Sequence, residues 1–272
     1  FGVNTGDLMV NVVTSYHDID KLSTLTDILL KKFPEITSLV NNVNTRKADV
    51  AFGEYETLLY GKPFIQEKIG DLTFEISANS FFQTNTTQGE VLYKEVEEAL
   101  ELRGDEVIYD LYCGTGTIGL YLSSSAKQVF GFEVIRSALD DAEKNADRNQ
   151  ITNTQFLKAN LDTFFKTGQL PNRIPYPDAI VIDPPRAGMH PDMAQYLPKL
   201  KADYINSGKV LLEYREVYFD GPGLWAALLA RCQGNQKYFP MIDLIFRKQK
   251  DWARGNRDEI INGLLSDGRP VS

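Results

Sequence analysis

Apolar residues recur along this chain with two different spacings, and these spacings predict where its strands and helices lie. Short runs typical of strands, LMVNVV, ITSLVNNV, ETLLYG and LTFEIS, occupy much of residues 1–78. Between the first two runs, Ile19 to Lys32 carries leucines at positions 22, 25 and 29, which is helical spacing. We therefore expect a small α+β domain over residues 1–78.

A second domain is predicted over residues 79–272, and it begins with a helix from Thr86 to Leu102. Apolar strands and amphipathic helices then alternate. The predicted elements are strands at Val107–Tyr109, Val129–Phe132, Thr154–Asn160 and Ala179–Ile182, and a helix at Ser137–Asn149. Because strands that alternate with helices form a mainly parallel sheet with right-handed crossovers, the predicted fold class is α/β and Rossmann-like.

The most informative stretch is EVIYDLYCGTGTIG at residues 106–119, followed by VFGFE, which ends at Glu133. It consists of an apolar strand, an acid at Asp110, a glycine-rich loop, and a second strand that ends on an acid. Glycines let a backbone turn approach a ligand closely. An acid at a strand tip can accept hydrogen bonds from a ribose diol. This stretch therefore predicts a site for a cofactor that contains a nucleoside.

Two kinds of cofactor compete for this loop. Gly114 to Gly119 matches the G-x-G-x-x-G pattern of dinucleotide sites, which favours NAD. Asp110 lies four residues before Gly114, where its carboxylate would repel a pyrophosphate but would suit an ammonium group, as in S-adenosylmethionine. A structural interpretation also stands, in which Asp110 caps a strand end and Glu133 is an acid at a helix start.

A second motif, DAIVIDPPRAGM at residues 178–189, places Asp183 at the end of a predicted strand, where ligands bind in open α/β sheets. The two prolines after it give a rigid turn that could hold a flat ring, although an ordinary strand end would look the same. Upstream, SFFQTN places Gln83 at a helix entry. Phe81 and Phe82 are expected in the core, unless one of them faces a base.

Together, DLYCGTGTIGL, DPPRAGM and SFFQTN resemble the RNA uracil-5-methyltransferases of the 23S rRNA or tRNA type. The resemblance covers roughly residues 1–205 and is strongest from Asn79 to Met189. It implies a class I methyltransferase fold, S-adenosylmethionine as the cofactor and RNA as the partner. The positions it implies for cofactor contact are Gln83, Tyr112, Gly114, Thr117, Glu133, Asn160 and Asp183.

Two of these positions have competing interpretations. Thr117 departs from the asparagine that this family often has there. Asn160 could read adenine with its side-chain amide, or it could be an ordinary N-cap before Leu161.

The resemblance ends at about residue 206, before the family's catalytic residues. In that family a cysteine thiolate adds to C6 of uracil, which lets C5 take the methyl group, and a base then removes the C5 proton. Where this cysteine is expected, between Lys209 and Tyr214, the chain has none. The family's His-x-x-Glu region, which carries the base, is not recognisable either. The catalytic residues are therefore unassigned.

The chain contains two cysteines, and neither replaces the missing nucleophile on sequence grounds. Cys113 lies in the glycine loop and is expected to pack as a small apolar residue. Cys232 follows LWAALLA and is expected on a helix. Further polar residues without an assigned role are His190, Glu213, Glu216 and Asp243.

Composition favours a soluble cytoplasmic enzyme, and no metal is expected. The chain has 272 residues of which 43% are hydrophobic, enough for a sizeable core, and no apolar run reaches membrane length. The net charge of −8 argues against nucleic acid binding over the whole surface. Residues 247–257, RKQKDWARGNR, hold five basic residues against one acid. They form either a solvated helix face or a strip that follows phosphates.

These observations favour an S-adenosylmethionine-dependent RNA methyltransferase of the uracil-5 type. One alternative is a catalytically silent or altered relative that binds RNA and cofactor, and the missing cysteine supports it. Another is an amino-nitrogen methyltransferase of nucleic acid, which needs no cysteine but usually has an aromatic residue where this chain has Arg186. A nicotinamide oxidoreductase rests on the glycine pattern alone.

Overall fold

A computed structural model describes residues 1–45, 53–161 and 174–183, together with residues 241, 244 and 245. The chain divides into two compact units, residues 1–211 and residues 212–272. All of the elements named below belong to the first unit. The predicted boundary between residues 78 and 79 falls inside that unit and stays a prediction.

The first sheet has three strands in the order β1 (Met9–Thr14), β2 (Ser38–Val43) and β3 (Tyr55–Gly61). Helix α1 (Ile19–Lys32) connects β1 to β2, which are parallel, and β3 is antiparallel to β2. The helix has the bounds predicted from its leucine spacing. It begins after Asp18, whose side chain accepts from the backbone N–H of Lys21 as an N-cap.

A hairpin of β4 (Phe64–Ile69) and β5 (Leu72–Ser77) follows, and its first strand was not predicted. Glu67 of β4 is only 1% exposed. Its carboxylate accepts from the backbone N–H of Asn4 at 3.0 Å and from the hydroxyl of Thr86 at 2.8 Å. Burial alone would raise the pKa of Glu67, but the hydrogen bond from the backbone N–H of Lys68, together with those from Asn4, Thr86 and Val3, outweighs it and lowers the pKa. Glu67 thus joins the amino-terminal segment to the start of the next helix.

The second sheet confirms the predicted parallel arrangement. Its four strands lie in the order β8-β7-β6-β9, and every neighbouring pair is parallel. The strands are β6 (Val107–Leu111), β7 (Gln128–Glu133), β8 (Thr154–Lys158) and β9 (Ala179–Ile182). The helices are α2 (Thr86–Leu100), α3 (Thr117–Leu122) and α4 (Arg136–Arg148).

Strand β6 is buried along its whole length, as expected for a central parallel strand covered on both faces. Tyr109 belongs to one apolar cluster, with Phe130 and Phe132, and Ile108 belongs to the other, with Leu120 and further residues of α3. Because strand side chains alternate between the faces, Asp110 lies on the same face as Ile108, toward α3. Within the described part of the chain, no helix is long and apolar enough to cross a membrane.

Candidate cofactor site

Four of the predicted residues lie along the carboxyl edge of the parallel sheet. In sheet order, the strands end at or just before Asn160, Glu133, Tyr112 and Asp183. The backbone N–H of Asp183 donates to Leu111 O at 3.5 Å, which joins the ends of β9 and β6. Ligands of open α/β sheets bind outside this edge. The fold therefore brings these side chains to the place where a ligand is expected.

The loop between β6 and α3 turns through three residues with left-handed backbone conformations. Tyr112 has φ 64°, Gly114 has φ 54° and Gly116 has φ 76°. A Cβ atom at Gly116 would lie 2.7 Å from the ring of Phe156, so only glycine fits there. A left-handed conformation costs energy for a residue with a Cβ, and such residues cluster at functional sites. The left-handed backbone of Tyr112 therefore points to a functional site, in agreement with its prediction as a cofactor contact.

The carboxylate of Glu133, at the end of β7, is hydrogen-bonded to the glycine loop. One carboxylate oxygen accepts from the backbone N–H of Gly114 at 3.2 Å. The other accepts from Val134 at 2.7 Å and from Ile135 at 3.0 Å, just before α4 begins. The side chain is half-buried. Glu133 lies where a ribose acceptor is expected and also binds the two residues before α4, and the ribose contact stays a prediction.

Asp110 is fully buried beneath the glycine loop, and its suitability for a cofactor with an ammonium group stays a prediction. Its Oδ2 accepts from the backbone N–H of Gly119 in α3 at 2.9 Å, and its Oδ1 has no partner among the described residues. Burial raises the pKa of Asp110 to about 7, and the charges of Asp183 and Glu133 add to this against the opposing hydrogen bond. Asp110 is therefore held against α3 by Gly119, and its carboxyl is only partly ionised near pH 7.

Thr117 links the glycine loop to helix α2. Its hydroxyl lies 3.0 Å from the phenolic oxygen of Tyr93, whose side chain is fully buried. Burial raises the pKa of Tyr93 to about 12, so the phenol stays protonated and can donate to or accept from Thr117. The side chain of Thr117 is thus engaged with the protein as well as being a predicted cofactor contact.

The loop that carries Gln83 leads into α2. Gln83 is half-buried, and its aliphatic stem packs against the backbone of Gly89. Phe82 packs against Phe74 with ring centroids 5.8 Å apart. Phe81 points outward with 62% of its surface exposed. The expectation of a core position is therefore correct for Phe82, whereas the exposed Phe81 fits the alternative that one of the two faces a base, which stays a prediction.

Sequence reasoning missed one face of α4. Asp141, Asn145 and Asn149 recur at intervals of four residues and therefore share a side of this helix. All three contact β5 or the loop after it through their side chains. The sequence contained a signal for this contact, because these polar residues recur at helical spacing on a side of the helix where apolar residues would be expected.

Cys113 is enclosed behind the loop and cannot act as the missing nucleophile. It is 7% exposed, and burial together with the charges of Asp110 and Glu133 raises the pKa of its thiol well above the ordinary value. The thiolate is the nucleophilic form of cysteine, and this site disfavours it. The expectation that Cys113 packs as an apolar residue is confirmed.

Several predictions concern residues outside the described ones. These are the two prolines and Arg186 of DPPRAGM, His190, the stretch from Lys209 to Tyr214, Glu213, Glu216, Cys232, Asp243 and the basic residues 247–257. In the ranges that the structure describes, no group of three or more histidine, cysteine or acidic side chains could hold a metal ion.

Comparison with known proteins gives two family matches. Residues 54–206 match the family model for tRNA (uracil-5-)-methyltransferase. Residues 192–266 match the family model for thioredoxin. The first match ends close to residue 211, where the first compact unit ends, and the second lies mostly in the second unit.

Individual relatives agree with the first match. An uncharacterised RNA methyltransferase of Chlorobaculum tepidum is 46% identical over 199 residues, which are 73% of this chain and 41% of the relative. Another, from Enterococcus faecalis, is 41% identical over 75% of this chain and 44% of its own length. The chain thus spans less than half the length of these curated relatives.

A solved structure is similar over the same region. The tRNA (uracil-54, C5)-methyltransferase of Pyrococcus abyssi, in complex with S-adenosyl-L-homocysteine, is 31% identical, with a TM-score of 0.56. The similarity covers 74% of this chain and 46% of that protein. The predicted class I methyltransferase fold is confirmed, and so is S-adenosylmethionine as the cofactor of the family. The chain belongs to the tRNA (uracil-5-)-methyltransferase family, whose model matches more than half of it.

Proposed function

We propose that the first unit binds S-adenosylmethionine in an RNA methyltransferase of the uracil-5 type, and that these 272 residues by themselves do not methylate uracil at C5. The observation that carries the first half is the closure of Glu133 onto Gly114 at the carboxyl edge of the sheet. A ribose acceptor beside a glycine turn is the arrangement that a nucleoside cofactor requires.

The choice of S-adenosylmethionine over NAD is supported by charge. Asp110, Glu133 and Asp183 lie at or next to the ends of three neighbouring strands. Glu133 and Asp183, together with Asp110 in its ionised form, favour a ligand with positive groups, and S-adenosylmethionine carries a sulfonium and an ammonium. A dinucleotide would bring its negative pyrophosphate to the same place. Gln83, Tyr112, Thr117, Asn160 and Asp183 are proposed as further contacts of the cofactor.

The absence of C5 methylation by these residues alone is inferred from the two cysteines of the chain. Addition of a thiolate to C6 is the step that activates C5, and the buried thiol of Cys113 is not available for it. Cys232 is the other cysteine of the chain, and it lies in the stretch that matches thioredoxin. A silent or altered relative that binds RNA and cofactor in the cytoplasm is the alternative to the uracil-5 function, and the missing cysteine supports it. RNA as partner is supported by the names of the similar relatives.

Dithiol redox chemistry of the thioredoxin kind is not supported for the second unit. Such chemistry uses a C-x-x-C pair. Residues 192–266 contain a single cysteine, Cys232. The thioredoxin match is therefore a similarity of sequence that comes without the reactive pair.

The experiment is incubation of the chain with methyl-labelled S-adenosylmethionine and uridine-containing RNA, with the Pyrococcus abyssi enzyme assayed in parallel. In a second reaction, RNA containing 5-fluorouridine would trap any covalent adduct. We expect cofactor binding without methyl transfer and without an adduct. An adduct that is lost in a Cys232→Ala variant would contradict the proposal. Methyl transfer without an adduct would instead support the amino-nitrogen alternative.

A further inference from the structure

Asp141 on helix α4 holds two hydroxyl groups from the segment between β5 and α2. Its Oδ2 accepts from the hydroxyl of Ser77 at 2.8 Å and from that of Ser80 at 2.5 Å. The two hydroxyl oxygens lie 2.7 Å from each other, so the three groups form one compact cluster. The Asp141 side chain is only 13% exposed, which protects these hydrogen bonds from competition by water.

The segment that Asp141 holds is the one that carries Gln83. Residues 78–85 connect β5 to α2, and Ser80 lies three residues before Gln83. The far end of the segment is held by Asn85, whose side chain accepts from the backbone N–H of Gln88 at 3.2 Å. Phe82 anchors the middle against Phe74. The cluster at Asp141 is therefore the attachment of the first part of the loop to the cofactor fold.

Helix α4 connects this attachment to the other end of the candidate site. The helix begins at Arg136, directly after the turn in which Glu133 accepts from Val134 and Ile135. Glu133 also holds Gly114. One rigid helix thus joins the acid at the tip of β7 to the loop that carries Gln83.

We propose that Asp141 is a positioning residue for cofactor binding, which sets the place of Gln83 relative to Glu133 by holding Ser77 and Ser80. This inference rests on the proposed function of the first unit. A charged carboxylate is suited to the task, because it accepts two hydrogen bonds at one oxygen and both bonds are charge-assisted. An asparagine would lose the charge and weaken both.

The test is the affinity for S-adenosylhomocysteine, measured by calorimetric titration of the full chain. We expect Asp141→Asn and Ser80→Ala each to raise Kd by about tenfold, the scale of a weakened hydrogen bond to a charged group. Asp147→Asn, on the exposed side of the same helix, is the matched control and should leave Kd unchanged. Far-UV circular dichroism checks that each variant is folded.

A double-mutant cycle separates positioning from general support of the fold. If Asp141 acts through Gln83, then Gln83→Ala and the double variant Gln83→Ala/Asp141→Asn should have the same Kd, because the second change has nothing left to disturb. Additive losses would contradict the inference, and so would unchanged affinity in Asp141→Asn. If Asp141→Asn does not fold, Ser80→Ala supports the same cycle.

The outcomes also separate this inference from the function it rests on. Failure of the unsubstituted chain to bind S-adenosylhomocysteine would contradict both. Binding by the unsubstituted chain with equal affinity in Asp141→Asn and Ser80→Ala would contradict the positioning role alone.

Discussion

Asn145 completes the free edge of strand β5 by pairing with Glu75 as a neighbouring strand would. Its Oδ1 accepts from the backbone N–H of Glu75 at 2.7 Å, and its Nδ2 donates to the backbone carbonyl of Glu75 at 3.2 Å. One turn later, Asn149 makes the same pair of bonds with Thr73, at 2.9 and 2.8 Å. Two side-chain amides on a helix therefore replace part of a third strand and join the hairpin to the cofactor fold.

Asn145→Ala is expected to loosen this junction. The change leaves a donor and an acceptor of Glu75 without partners, at a cost of about 2–4 kcal/mol. Hydrogen exchange of the Thr73 and Glu75 amides should become faster, and the free energy of unfolding should fall. Asp147→Ala, on the exposed side of α4, is the control. Unchanged exchange at Glu75 would show that the amide pairing contributes nothing.

Gly116 and Gly114 allow the cost of a steric overlap to be separated from the cost of backbone strain. Both have positive φ, but a Cβ at Gly116 would meet Phe156 at 2.7 Å, whereas a Cβ at Gly114 would meet nothing within 4 Å. Gly114→Ala should therefore cost only the backbone strain of about 1–2 kcal/mol. Gly116→Ala should cost about 1–3 kcal/mol more, because of the overlap with the ring. Urea unfolding of both variants measures the difference, and equal losses would be inconsistent with this geometry.

The raised pKa of Asp110 should make the free energy of unfolding depend on pH. Because the pKa of this carboxyl is raised from 3.8 to about 7 in the folded protein, the folded state binds its proton more tightly than the unfolded state. The stabilisation is complete below the unfolded pKa and is lost as the pH rises through about 7. Asp110→Asn does not ionise and can still accept from Gly119. It should therefore gain stability relative to the native chain between about pH 5 and pH 8.

Urea unfolding at the two pH values measures this effect. Asp147→Asn, an exposed acid on α4, serves as the control and should show no such gain. A stability difference between Asp110→Asn and the native chain that is the same at both pH values would mean that the carboxyl pKa is not raised.

The regular parts of the fold followed from the sequence, and the departures have a common cause. Strand β4 was missed because Glu67 occupies an inward position between Ile65 and Ile69, where the period-two pattern requires an apolar residue. Its burial is stabilised by donors from Asn4 and Thr86, which lie far away in sequence. A single sequence cannot reveal such partners before the chain is folded.

The candidate site was predictable in part for the same physical reason. The glycines and the acids at strand ends were predictable, because the carboxyl edge of a parallel sheet follows from the order of elements. The contacts of Asp141 with Ser77 and Ser80 were not, since they join residues more than 60 positions apart in sequence. The burial of Asp110 was not predictable either, because it depends on which face of β6 the helix α3 covers.

Glu133 should contribute directly to cofactor affinity. An alanine here would also remove the acceptor for Gly114, Val134 and Ile135, so Glu133→Gln is the sharper variant. The amide keeps one acceptor but loses the charge, and we expect cofactor binding to weaken by about 1–3 kcal/mol. Calorimetric titration with S-adenosylhomocysteine measures the change. Unchanged affinity in a folded variant would restrict Glu133 to the helix start and the loop.

The central claim is that the first unit holds a binding site for S-adenosylmethionine. The most direct measurement is calorimetric titration of the unsubstituted 272-residue chain with S-adenosylmethionine, S-adenosylhomocysteine and NAD in separate runs. We predict saturable binding of the two methionine cofactors at one site per chain, and no binding of NAD. Binding of NAD without binding of either methionine cofactor would contradict the account.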